Sequence, residues 1–175
     1  MTAQVLRMFF AAAFGLALLL AGADGAFAQG VRSVQVYEYG TYTSGDSVEI
    51  GTTPQGIQRS QTIGIKQIET ARTIIARLGV QFGFRYRAIG PVNGVQVPVT
   101  IVAKFPEPGV LGVKGNAPVV RDAYTELTTT GKEEFLTWTF EMRSDLVPGI
   151  WTFEIWSGDK KLAEQSFNII LPPVS

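Results

Sequence analysis

The feature that most constrains this chain is a period-two alternation of apolar and polar residues, repeated in one run after another. In "VQFGFRYRAI" (80–89), Val80, Phe82, Phe84, Tyr86 and Ala88 share one side, while Gln81, Arg85 and Arg87 share the other. "VQVPVTIVAKF" (95–105) collects Val95, Val97, Val99, Ile101, Ala103 and Phe105. "FLTWTFEM" (135–142) collects Leu136, Trp138, Phe140 and Met142. In "GIWTFEIWSGDKKLAEQSF" (149–167), two such runs flank a polar turn. Trp151, Phe153 and Ile155 point one way, Thr152, Glu154 and Trp156 the other, and Ala163, Phe167 and Ile169 follow on the return. Successive side chains of a β-strand emerge on opposite faces, so runs of this kind bury one face and wet the other.

Two weaker strands, "VRSVQVYEYGTYT" (31–43) and "APVVRDAYTEL" (117–127), extend the set. The segment 63–79 is ambiguous; its β-branched residues predict a strand through about Thr70, then an irregular or helical turn ending at Gly79. Residues 43–62, rich in Gly, Ser and Thr, predict an exposed loop or a loose edge hairpin. "FPEPGVLGVKGNAP" (105–118) predicts a surface excursion, and Pro148-Gly149 a turn into the last hairpin. About seven strands at short spacing predict an all-β, immunoglobulin-like antiparallel sandwich, with a small barrel as the alternative.

The first 28 residues read as a secretory signal peptide. Arg7 precedes the apolar run from Met8 to Ala23, and "AFA" (Ala26 to Ala28) supplies an A-x-A cleavage site after Ala28. That run is shorter than the roughly 20 residues of a spanning helix, and the mature chain has no other candidate span. Residues 29–175 then form one β-sandwich domain, periplasmic or secreted. With 15 Lys and Arg against 15 Asp and Glu, net charge is zero, which argues against nucleic-acid binding. There is no His and no Cys. An imidazole base, a thiol nucleophile, a Ser-His triad, the usual N/S metal sites and disulfides are therefore excluded, and no cofactor or metal is expected.

The candidate binding residues are Trp156, Arg85 and Arg87. Trp156 lies on the Glu154 face at a strand end beside "SGDK". It reads either as a residue folded over the sandwich end or as an exposed aromatic anchor. Arg85 and Arg87 are neighbours on a polar strand face. Either carboxylates oppose them across the strands, with Glu154 and Glu141 as candidates, or they form an anion-binding face. Glu133 and Glu134 read as a solvated hairpin tip in "TGKEEF".

"LVPGIWTFEIWSGDKKLAEQSFNII", with "LGVQFGFRYR" and "VYEYGTYT" upstream, resembles the uncharacterised bacterial exported family known as domain of unknown function 3859. The most specific part is P-G-x-W-T-F-x-I-W followed by K-L-A-E-x-S-F, here Pro148 to Trp156 and Lys161 to Phe167. The resemblance implies a small exported β-sandwich and no particular activity. Together these features predict a non-enzymatic exported module that binds another envelope or secreted protein through a sheet edge or hairpin face. A small-ligand or carbohydrate-binding module is the alternative, and a carboxylate-dependent hydrolase is a third reading.

Overall fold

The computed structural model describes residues 30–43, 45–112 and 117–173; the expected signal peptide, residues 1–28, lies outside them. Eleven strands occur among the described residues, rather than about seven. They are β1 (Ser33–Tyr42), β2 (Asp46–Thr52), β3 (Gln58–Ile63), β4 (Gln67–Glu69), β5 (Thr73–Ile75), β6 (Gln81–Ile89), β7 (Gln96–Lys104), β8 (Arg121–Thr129), β9 (Glu133–Thr139), β10 (Gly149–Ser157) and β11 (Lys160–Ile170). One sheet runs β4-β1-β6-β9 and the other β5-β11-β10-β7-β8, while β2 and β3 form a separate hairpin. The surplus over seven lies between β1 and β6, where four short strands replace the expected loop and ambiguous segment.

Two open sheets face each other across one core, so the architecture is an immunoglobulin-like sandwich and not a barrel. The alternating runs point as their periodicity predicts. Phe82, Phe84, Tyr86 and Ala88 of β6 meet Val97, Val99, Ile101 and Ala103 of β7, all buried. Trp151 is fully buried, with its ring centroid 4.7 Å from Phe105, 5.3 Å from Trp138 and 5.7 Å from Phe82. Its indole N–H donates to the Val147 carbonyl at 2.9 Å, which satisfies the polar atom of the largest core side chain. Gly83 is required where β6 and β9 run close together: a Cβ there would lie 2.1 Å from the Leu136 carbonyl oxygen.

Four local expectations change. The anticipated turn before Gly79 contains β5, which pairs parallel with β11 and buries Ile74. Alternation through Thr73-Ile74-Ile75 prevails because Ile74 fills the core and its neighbours face water. "TGKEEF" is no hairpin tip. Its turn carries the chain from β8 in one sheet to β9 in the other, and the Thr130 hydroxyl ties it to the Val92 carbonyl at 2.7 Å. The 105–118 excursion is not wholly superficial either, since Val110 is fully buried and bridges to Val119. Met142 leaves the apolar stripe of its run and is exposed, because the strand has ended at Thr139.

Candidate functional site

β8 carries its polar residues on the inner side. Asp122, Tyr124, Glu126 and Thr128 pair with Ala103, Ile101, Val99 and Val97 of β7, and all four β7 partners are core residues. Side chains directly opposite on paired strands share a face, so these β8 side chains turn toward the sandwich interior. The opposite face holds Arg121, Ala123, Thr125 and Leu127, with Leu127 62% exposed. Across the gap, β9 turns Glu134, Leu136 and Trp138 inward, opposite Tyr86, Phe84 and Phe82 of β6.

The β2–β3 hairpin lies over this side of the sandwich. From β3, Arg59 reaches Glu126 at 2.5 Å and stacks over the Tyr124 ring, its guanidinium carbon 4.4 Å from the centroid. Gln81 donates to Thr137 of β9 at 3.0 Å and to Thr62 of β3 at 3.4 Å. Hairpin, β8 and β9 line an open-sided cavity of about 610 Å³ that wraps around both faces of β9, with Ile101, Ala103 and Phe153 on its apolar wall.

The cavity is acidic. Asp122, Glu126, Glu134, Glu141 and Asp145 line it against one cation, Arg59. Asp145 is spent locally, accepting from the Glu141 and Met142 amides at 3.0 and 2.8 Å. Asp122 is 2% exposed, and its Oδ1 has no partner among the described residues. Burial pushes its carboxyl above the ordinary range, against the pull of the Thr53 hydroxyl, the Ala123 amide and the Arg59 and Arg121 charges. Burial raises Glu126 as well, and Arg59 opposes that rise. The Gln81 Oε1 and the Trp138 indole N–H are two further buried lining atoms without partners. A buried polar atom left unpaired costs stability at that spot, and a bound water, ion or ligand group would relieve it.

The three residues singled out in the sequence lie elsewhere and are not brought together. Arg85 and Arg87 sit on the outer face of the β4-β1-β6-β9 sheet. Their carboxylate partners are Glu38 and Glu133, not Glu154 or Glu141: Arg85 stands 3.3 Å from Glu38 and 3.6 Å from Glu133, and Arg87 3.1 Å from Glu133. A bulge in β1 between Val36 and Glu38 aligns Glu38 with Arg85, a register shift invisible to simple alternation. Trp156 belongs to the outer face of the other sheet and is half-buried there. Its indole N–H donates to Glu154 at 2.9 Å, and Lys161 lies 5.8 Å from its ring centroid. Glu154 itself is buried beneath Lys104 at 2.7 Å and Lys161 at 3.4 Å. Burial alone would raise its carboxyl, but the bonds from Lys104, Trp156 and Lys161 bring it down to about 2.

Sequence reasoning missed Asp122, Tyr124, Glu126, Gln81 and Arg59. The available signal was "RDAYTELT", in which Asp122, Tyr124, Glu126 and Thr128 alternate as strictly as any core face. Polarity would have turned Ala123 and Leu127 inward instead, and the pairing with β7 reverses that choice.

No curated protein matches this chain. An immunoglobulin-like protein from Pseudomonas aeruginosa superposes with a TM-score of 0.54 at 24% identity, covering 79% of this chain and 97% of that one, a likeness of fold. The family model described as Domain of unknown function (DUF3859) matches residues 30–169, so the sandwich, its hairpin and the acidic cavity all fall within the match, and the chain belongs to that family.

Proposed function

We propose that this chain is a non-catalytic, exported binding module whose cavity beneath the β2–β3 hairpin takes a small ligand. One observation carries the reading. Asp122, a carboxylate 2% exposed with a free oxygen, faces a cavity of about 610 Å³, within the size range of small-molecule sites. The lack of His and Cys supports a binding role over catalysis. The Met8 to Ala23 run and the A-x-A site support export.

The chain has three Trp residues, and they provide a built-in test. Trp138 lines the cavity with its indole N–H unpartnered, whereas those of Trp151 and Trp156 are bonded to Val147 and Glu154. A thermal-shift screen over sugars, organic acids and amines should yield a stabilising compound, with about 2.7 kcal/mol expected at 100 times its dissociation constant. That compound should move the Trp138 indole resonance and leave Trp156 in place. A hit that moves Trp156 and not Trp138, or a screen with no hit, counts against the reading.

A specific observation also favours a protein partner. All seven residues of β2 are exposed, including Val48 and Ile50, and among the described residues β2 pairs only with β3, so its outer edge can accept a strand. Val48→Lys should abolish capture of a cross-linked envelope partner under that reading, and should leave small-ligand binding in the cavity intact.

A further inference from the structure

We propose that the ligand of the cavity is an organic cation, a protonated primary amine on a short apolar chain. The inference rests on the reading of the cavity as a ligand site and adds the chemistry that the site selects. The charge balance of the lining comes first. Among the described residues Arg59 is its single cation, and it is already committed to Glu126 and the Tyr124 ring. An anionic ligand would meet the unpartnered Asp122 oxygen and find no uncommitted cation among the described lining residues.

Of the three unpartnered lining atoms two are acceptors, and the third, the Trp138 indole N–H, is a donor. Asp122 Oδ1, on the inner side of β9, and Gln81 Oε1, on its outer side with Thr137, are both acceptors on lining side chains 2% exposed. An ammonium group offers three donors and no acceptor, so it suits the spare acceptor that Asp122 presents on the inner side. A desolvated carboxylate with one oxygen unpartnered is held at a cost that a cation relieves, and the upward push of burial on Asp122 reflects that cost. A bare divalent metal fits less well, because no group of three or more Asp or Glu able to hold a metal ion occurs among the described residues. Ile101, Ala103, Leu136 and Phe153 supply apolar wall for a chain behind the charged head.

Three probes of matched length isolate the charge: n-hexylamine, 1-hexanol and hexanoate, each titrated into the full mature chain at pH 7 and followed by the Trp138 indole resonance. Hexylamine should move that signal saturably, hexanol should bind at least about tenfold more weakly, and hexanoate should not move it. Asp122→Asn should weaken hexylamine about tenfold and leave it no better than hexanol. Hexanol or hexanoate binding as tightly as hexylamine would overturn the cation assignment while leaving the cavity a ligand site. Silence from all three probes also overturns it, and the wider screen then decides separately whether the cavity binds anything. The probe comparison needs only the unaltered protein, so it stands even if the Asn variant folds poorly.

Discussion

Two regions of this sandwich obey the same alternation and end in opposite states. Around Trp151 the inward residues are Phe82, Phe105, Phe140 and Phe153, and the indole finds a carbonyl for its one donor. Beneath the β2–β3 hairpin the inward residues are Asp122, Tyr124 and Glu126, and polar atoms are left without partners. The difference shows that alternation decides which residues share a face, while pairing decides which face turns inward. β7 sits between β10 and β8, so its apolar face is fixed by the core, and β8 must follow its register whatever its own residues prefer.

The comparison can be broken most severely at the aromatic end. Trp151→Ala should cost about 3–5 kcal/mol, since it removes the largest fully buried side chain and opens a cavity among rings that cannot collapse inward. Urea unfolding would measure this, and a loss below about 1 kcal/mol would show that the aromatic cluster is not the mainstay of the fold.

A smaller effect belongs to the outer face of the β10–β11 pair. Glu154→Gln should cost about 2 kcal/mol, the worth of charged hydrogen bonds from Lys104, Trp156 and Lys161. The sign of its pH dependence follows from the folded carboxyl lying at about 2, below the ordinary 4.5. The stabilisation is full above about 4.5 and is lost as pH falls toward 2, so the acid limb of the native stability profile should flatten in the variant. Equal acid sensitivity in both proteins would remove Glu154 from the account.

The smallest effect is expected at Arg87, which is 40% exposed and paired with a Glu133 that is 46% exposed. Arg87→Ala should change stability by less than about 0.5 kcal/mol, as exposed ion pairs do. A loss of about 2 kcal/mol by the same unfolding assay would mean that the outer sheet face matters as much as the buried cluster at Glu154.

Much of this was legible in the sequence. The runs at 80–89, 95–105, 135–142 and 149–167 announced β6, β7, β9 and the final hairpin, because period two leaves few alternatives for residues such as Phe82, Phe84 and Tyr86. The core role of Trp151 followed from the same count. The site was not legible, for two physical reasons. Asp122 and Glu126 are isolated acids in sequence, and they become one cluster only when β8 pairs with β7 and Arg59 arrives from a hairpin 67 residues earlier than Glu126. Trp156 and Glu154 shared an outward face as predicted, but nothing in the sequence reported that Lys104 and Lys161 would close over Glu154, or that Glu154 would take the indole N–H.

The central claim is that the inner face of β8 is kept polar for binding at the expense of stability, and Asp122→Asn tests it most directly. Asp122 is raised above the ordinary 3.8 by burial, so its contribution to stability is fullest below that value and falls as pH rises through its folded range. At pH 7 the Asn variant should therefore unfold at higher urea, while binding hexylamine about tenfold more weakly. A variant that is less stable than the native chain, or one that binds hexylamine undiminished, would contradict the claim.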